Sequence, residues 1–280
     1  MECLNTDCRE KVPDHLRYCV VCGTDATVPN VRAAARTDEA NALNVRILAV
    51  ERDAILAGTA EVLADFRLAL DNSSAVVCRS LARLNELVSS DNQLFATFYE
   101  NVRSNAVLPE DNEWDRIRQS ADSLLFPFYF EELRFAALSF DGSGVSGYGS
   151  FCVTLKESAI RDRASVLEEN AILFVRKQRI VAGDFIPLGY RATWPNRGAL
   201  GVAKLGRKLI PTTAPNDYQS ILMGSRSRDG DFIEVHIFGP LHRRAIQHVN
   251  GTEPKRKADK VILGSLKRKL NELGVTYTIR

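Results

Sequence analysis

Cys3, Cys8, Cys19 and Cys22 fall within the first 22 residues of a 280-residue chain. Four residues separate the first pair, two separate the second, and ten lie between the pairs. Two short cysteine knuckles brought together offer four thiolates in the tetrahedral arrangement that structural zinc prefers. Tyr18-Cys19-Val20-Val21-Cys22-Gly23 reads as one knuckle, with Gly23 free to take the positive φ of a tight turn. A segment this short cannot bury a core, so a metal has to organise it. The competing arrangement is two disulfides in a secreted domain. No hydrophobic signal segment precedes Cys3, and the other two cysteines, Cys78 and Cys152, sit in apolar surroundings. The expectation is therefore a reduced, cytoplasmic protein whose residues 1–30 form a zinc ribbon.

No apolar run approaches the ~18 residues a membrane span needs, so no membrane partner is expected. With 45% hydrophobic and 26% charged residues, the chain has room for more than one globular unit. Its net charge is only +2, but the basic residues are clustered. Lys255, Arg256, Lys257, Lys260, Lys267, Arg268 and Lys269 crowd the C-terminal region. Arg191, Arg197, Lys204, Arg207 and Lys208 crowd a central stretch around Trp194. Such clusters suit a phosphate-bearing partner such as RNA or DNA. A solvated helix face is the alternative.

Residues 31–104 read as a helical hairpin. Leu48, Ile55, Val62, Phe66 and Leu70 recur at seven- and four-residue steps. Asp71-Asn72-Ser73-Ser74 breaks the pattern and can cap a second helix. Val77, Leu81, Leu84, Val88, Phe95 and Phe98 would form its stripe. Residues 105–280 change in texture. Glu113 to Leu125 suits one more helix. Strand-like runs follow at 134–140, 150–155, 171–175 and 232–238. The last alternates, with residues 233, 235 and 237 on one face and 232, 234, 236 and 238 on the other. Ala258 to Leu273 closes the chain as an amphipathic helix with Val261, Ile262, Leu266 and Leu270 inward. A strand through Val275, Tyr277 and Ile279 ends it. The class is α+β, with a mixed sheet and no βαβ repeat.

Several apparent motifs fail on context. Gly142-Ser143-Gly144-Val145-Ser146-Gly147 matches a dinucleotide fingerprint, but a strand-like run follows where a helix is required. Gly201 to Lys208 lacks the Lys-Ser/Thr ending of a phosphate-binding loop. His236, His242 and His248 recur every six residues, which on a helix does not put His242 and His248 on one face. No Gly-x-Ser-x-Gly elbow supports a serine hydrolase.

Glu234 is different. It lies mid-strand in an apolar run, on a face with Phe232, His236 and Phe238. Burying a carboxylate alone is costly, so an arginine or a ligand must meet it. The order of segments adds to this. Tyr148-Gly149 opens a strand; Arg163-Ala164-Ser165 leads to Asn170; and Glu234 lies far downstream, followed by Gly239-Pro240-Leu241. Over roughly residues 126–250 this resembles the ADP-ribosyltransferase superfamily, in an uncharacterised bacterial branch.

The resemblance implies a split mixed β-sheet holding NAD in a cleft. Glu234 would bind the nicotinamide ribose and stabilise the cation that forms as nicotinamide leaves. Tyr148 would lie near the nicotinamide, and Ser165 and Asn170 would help form the cleft. The family also places an Arg or His on its first strand for the NAD phosphates, with Arg134 and Arg103 as candidates here. Its arginine-modifying members carry a second Glu where this chain has Phe232. Residues 215–229 match the position of its target-recognition loop. The expected protein is thus a toxin-like or antiviral-defence effector that uses NAD to modify a macromolecule, with nucleic acid a candidate target and a regulatory protein a candidate partner. The alternatives are a non-catalytic zinc-ribbon adaptor with a degenerate site, and an enzyme that hydrolyses NAD without an acceptor.

Overall fold

Eight strands between residues 74 and 279 hydrogen-bond into one mixed sheet. The structure is a computed structural model that describes residues 1–95, 99, 113–228 and 230–279, with 113–116 described in backbone only. The helices are α1 (Pro29–Ala34), α2 (Thr37–Leu56), α3 (Ala60–Asp71), α4 (Leu81–Leu87), α5 (Glu113–Leu125), α6 (Glu157–Ile160), α7 (Ala171–Gln178), α8 (Arg197–Leu205), α9 (Tyr218–Leu222) and α10 (Lys257–Glu272). The strands are β1 (Ser74–Arg79), β2 (Leu133–Ser139), β3 (Phe151–Leu155), β4 (Ala164–Leu167), β5 (Arg191–Thr193), β6 (Glu234–Phe238), β7 (Ile246–Gly251) and β8 (Thr276–Ile279). Their order is β5-β4-β6-β2-β1-β3-β7-β8, antiparallel except for β7 and β8.

The α+β class and the mixed sheet agree with the sequence. Where the resemblance implies a split mixed sheet, the strands form one continuous sheet that opens at β1. Ser74, Ala75 and Val76 pair with Ser139, Leu138 and Ala137 of β2. Val76 through Arg79 pair instead with Thr154 through Phe151 of β3. Only Val76 is shared, so β2 and β3 part company towards Arg79.

Three local expectations need correcting. The first arm of the expected hairpin is two helices, α2 and α3, with Leu48 and Ile55 of its expected stripe exposed, and Ser74–Arg79 is a central strand rather than the start of a second arm. Ala75 to Cys78 are buried on both faces of the sheet, and such a short apolar run carries no periodicity to separate strand from helix. Residues 171–175, read as strand, begin α7. The Asn170 side chain caps it by accepting from the Leu173 amide at 3.1 Å. In α10 the buried residues are Leu263, Leu266 and Leu270, while Val261 is 74% exposed. Phe98 lies outside the described residues.

The faces of β6 follow the expected alternation. Ile233, Val235 and Ile237 join the main core with residues of α2, α3 and α8 and with Val153 and Val249 from the far half of the sheet. On the opposite face Leu133, Leu167 and Phe174 form a second core with Leu125 and Phe126. Glu234 and His236 point to this second side, where His236 lies edge-on to Phe126 and Phe135. Cys78 and Cys152 are register partners on β1 and β3 and are joined as a disulfide, which departs from the reduced chain expected from the sequence, because adjacent register positions bring the two thiols together.

Candidate functional site

The N-terminal cysteines converge as their spacing requires. Turns within each pair bring all four sulfurs within 4.8 Å of one another. Cys3 and Cys22 Sγ lie 3.4 Å apart, and Cys8 and Cys19 Sγ 3.8 Å. A tetrahedral zinc with Zn–S bonds of about 2.3 Å would hold its sulfurs about 3.8 Å apart, so the donor set fits the ion. Gly23 takes φ +72°, which suits glycine in the knuckle turn. Hydrogen bonding at Thr24 draws the Cys22 thiol down to about 6, toward the thiolate a metal binds.

At the centre of the sheet, Glu234 is 1% exposed and both its oxygens are occupied. Oε1 lies 2.7 Å from Arg118 Nη1 on α5. Oε2 accepts from the Ala171 amide at 3.1 Å and lies 3.1 Å from His236 Nε2. Ala171 is the first residue of α7, so the carboxylate also meets the positive end of a helix. Burial would push the carboxyl up, but the Arg118 charge and the His236 hydrogen bond outweigh it and hold Glu234 below the ordinary carboxylate range. Arg118 stacks 4.0 Å over Phe135 and gives Nε to Asp122 Oδ2 at 2.8 Å, where the Tyr99 hydroxyl also donates at 2.7 Å. Burial moves Asp122 the other way, upward. Arg118 Nη2 and Asp122 Oδ1 are buried without a hydrogen-bond partner among the described residues.

Arg118 and Asp122 were missed in the sequence. Their i, i+4 spacing on the Glu113–Leu125 helix was the available signal, but the same spacing is ordinary on exposed helices.

The other named residues surround this network to different degrees. Tyr148 is 39% exposed. Burial raises its phenol, which feels the charges of Arg118, Glu234, Arg228 and Asp122. The Arg228 guanidinium lies 5.1 Å from the Tyr148 ring centroid, and its Nε donates to the Gly147 carbonyl at 2.7 Å. Ser165 is opposite His236 in the β4–β6 register and accepts from Asn30 Nδ2 at 3.1 Å. Asn170, besides capping α7, donates to the Gly230 carbonyl at 2.6 Å. Arg134 lies on β2, not the first strand, with its guanidinium donating to the Phe95 and Glu132 carbonyls at 3.2 and 3.0 Å. Arg103 lies outside the described residues. The first strand is β1, and its arginine is Arg79. Arg79 donates to its neighbour's carbonyl, Cys78 O, at 3.1 Å and has no carboxylate partner among the described residues. Burial lowers its pKa. Reading residues 74–88 as helix hid this residue.

The two basic clusters fare differently. Most of the central one is taken up by internal bonds, while Arg207 and Lys208 lie exposed. Arg197 is 5% exposed and holds the Ser73, Trp194 and Asp71 carbonyls. Lys204 binds Asp231, Arg191 binds Glu39, and Arg207 binds Asp53 at 2.7 Å. At the C-terminal end Lys255, Arg256, Lys257, Lys260 and Arg268 are exposed. Lys267 lies over the Tyr277 ring at 5.2 Å, and Lys269 donates to Asn85 Oδ1 and Ser89 Oγ at 3.0 and 2.7 Å. No helix among the described residues is long and apolar enough to cross a membrane.

No protein-family model matches the chain, and no curated protein matches it in sequence.

Proposed function

We propose that this protein is an NAD-dependent ADP-ribosyltransferase that modifies a macromolecule, with Glu234 as the carboxylate facing the nicotinamide ribose. The observation that carries this reading is an ionised carboxylate held beside two buried polar atoms, Arg118 Nη2 and Asp122 Oδ1, that have no hydrogen-bond partner among the described residues. Native interiors seldom leave such atoms unpaired, and a polar ligand would satisfy them. Tyr148 offers an aromatic ring close by. Arg79 supplies a cation on the first strand, where the resemblance calls for an NAD-phosphate residue. In the reaction, the bond between nicotinamide and ribose breaks and its electron pair leaves with nicotinamide. The cation developing on the ribose is met by the Glu234 charge. A nucleophile of the target then bonds to the ribose carbon and gives up its proton.

Phe232 occupies the place of the second glutamate of arginine-modifying relatives and is buried against Ala137, Val145 and Met223. Arginine is therefore not the proposed acceptor. Nucleic acid is the favoured target class, because the exposed lysines and arginines around residues 255–268 can contact phosphates. An effector role in toxicity or antiviral defence, under a regulatory protein, belongs to the same reading.

A second reading has its own observation. Glu234 is almost fully enclosed and its oxygens are saturated by Arg118, His236 and Ala171. That is how a structural ion pair looks, and it favours a zinc-ribbon adaptor with a degenerate site. Labelled NAD incubated with the protein and cell lysate, followed by protease or nuclease digestion, tests the reaction and separates transfer from plain hydrolysis. The pair of variants Glu234→Gln and Glu234→Gln with Arg118→Met separates the two roles of Glu234. If the carboxylate is catalytic, the double variant recovers melting temperature but not turnover. If it is only structural in an active protein, turnover returns with stability; the adaptor reading expects no turnover from the parent at all.

A further inference from the structure

The metal module meets the body at a ring contact of His15 with Phe128, 4.7 Å between centroids, and through two side chains of α1 that make the denser ties. Arg32 reaches back into the module. Its Nη1 donates to the Ala26 and Thr27 carbonyls at 3.0 and 3.4 Å. Its Nη2 donates to the carbonyls of Pro13, Asp14 and Leu16 at 3.0, 2.7 and 2.9 Å. These five carbonyls belong to the loop between the two cysteine pairs and to the exit from the second knuckle. They form a cup only while the cysteines are gathered, because the module's own apolar cluster is just Cys3, Val12, Cys19 and Ala26, with Cys8 and Leu16 against it.

Two residues earlier, Asn30 reaches forward into the sheet. It is 2% exposed, and its Nδ2 lies 2.9 Å from the His236 carbonyl, 3.1 Å from Ser165 Oγ and 3.2 Å from the Arg163 carbonyl. One amide group therefore spans β4 and β6 at the residue whose ring holds Glu234 Oε2.

We infer that Asn30 and Arg32 are positioning residues, through which metal bound at Cys3, Cys8, Cys19 and Cys22 fixes the β4–β6 pair that carries Glu234. Metal loss opens the carbonyl cup, releases Arg32 and lets α1 withdraw Asn30 from the strands. Among the described residues the far strands β3 and β7 have no hydrogen bond to α1, and they do not respond. This coupling is a property of the fold and does not depend on the proposed reaction.

Hydrogen exchange on the full chain, with and without a zinc chelator, tests it. Metal removal speeds exchange of peptides covering 163–167 and 234–238 by at least about tenfold, the scale of a local opening rather than global unfolding. Peptides covering 151–155 and 246–251 serve as the internal reference and stay unchanged. Arg32→Ala with zinc still bound reproduces the pattern, and Arg32→Lys, which restores one donor group to the cup, recovers part of it. His236 ring resonances shift with metal removal in the parent and no longer do so in Asn30→Ala. Unchanged exchange at β4 and β6 after metal removal overturns the inference. So does an equal rise at β3 and β7, which means general destabilisation. Either result comes from the parent protein alone, whatever the variants do and whether or not NAD is turned over.

Discussion

In the metal module, residues 1–27, four buried residues form the apolar cluster, and two of them are cysteines. In the sheet body, the main core runs from Leu43 on α2 to Val275 before β8. The module's remaining bonds are largely backbone turns and two ion pairs with exposed partners, Arg17 with Asp25 at 2.7 Å and the N-terminal amine with Asp14 at 3.7 Å. Exposed pairs contribute little, about 0–1 kcal/mol. The body instead buries Arg118, Asp122 and Glu234 together, a grouping that apolar packing has to hold in place. A region with no core takes its order from a ligand, whereas a region with ample core can tolerate buried charge. That surplus lets the body hold buried charge where the module cannot.

The largest test of this contrast is metal removal. One zinc per chain is expected by metal analysis, and chelation should unfold residues 1–27, since structural zinc in small modules supplies about 10–16 kcal/mol of apparent binding energy. Limited proteolysis should then cut within the module while the sheet body resists. A protein purified with little zinc, or a module that stays protected after chelation, would break the contrast.

Next in size is Arg118→Ala. Removing one partner of a buried pair strands the other and costs about 3–5 kcal/mol, read as a lowered denaturation midpoint. A drop of only a few tenths would mean that water already reaches Glu234.

Glu234→Gln follows. It keeps shape but loses charge, and the expected fall in nicotinamide release is about 10²–10³, or ~2.7–4 kcal/mol in the barrier. Release at the parental rate, in protein still folded at the assay temperature, would end the catalytic assignment.

The pH profile sharpens the comparison within the body. Glu234 is held below its unfolded value of about 4.3, so its contribution is present above that pH and fades as pH falls through the lower folded value. Asp122 is raised, so its contribution is present at low pH and is lost as pH climbs through the raised folded value. Glu234→Gln should therefore flatten the acid side of the melting profile and leave the loss on raising pH in place.

The smallest effect belongs to the surface. Reversing the charges of Lys267, Arg268 and Lys269 should weaken nucleic-acid binding and reduce the salt slope by about 0.9 for each phosphate no longer neutralised. Lys267 and Lys269 already have partners in Tyr277, Asn85 and Ser89, so Arg268 should account for most of any change. An unchanged slope would leave the cluster a solvated helix face.

The sequence alone determined what local chemistry can encode. The Cys3, Cys8, Cys19, Cys22 spacing defines a tetrahedral donor set without reference to the rest of the chain. The alternation from 232 to 238 sorts β6 into its two faces, and the period from 258 to 273 gives α10. Even the start of α7 was available, because Asn170 is a strong cap residue; the apolar run after it argued the other way. Tertiary structure decided the rest. Ser74–Arg79 became a strand because it is sandwiched between β2 and β3 with both faces covered, a condition six residues cannot announce. That placement brought Arg79 to the point where β2 and β3 diverge. The partner of Glu234 was equally invisible. The sequence required only that some arginine or ligand meet the carboxylate. Burial is a property of the assembled chain, and packing α5 against the sheet selected Arg118 from the many arginines available.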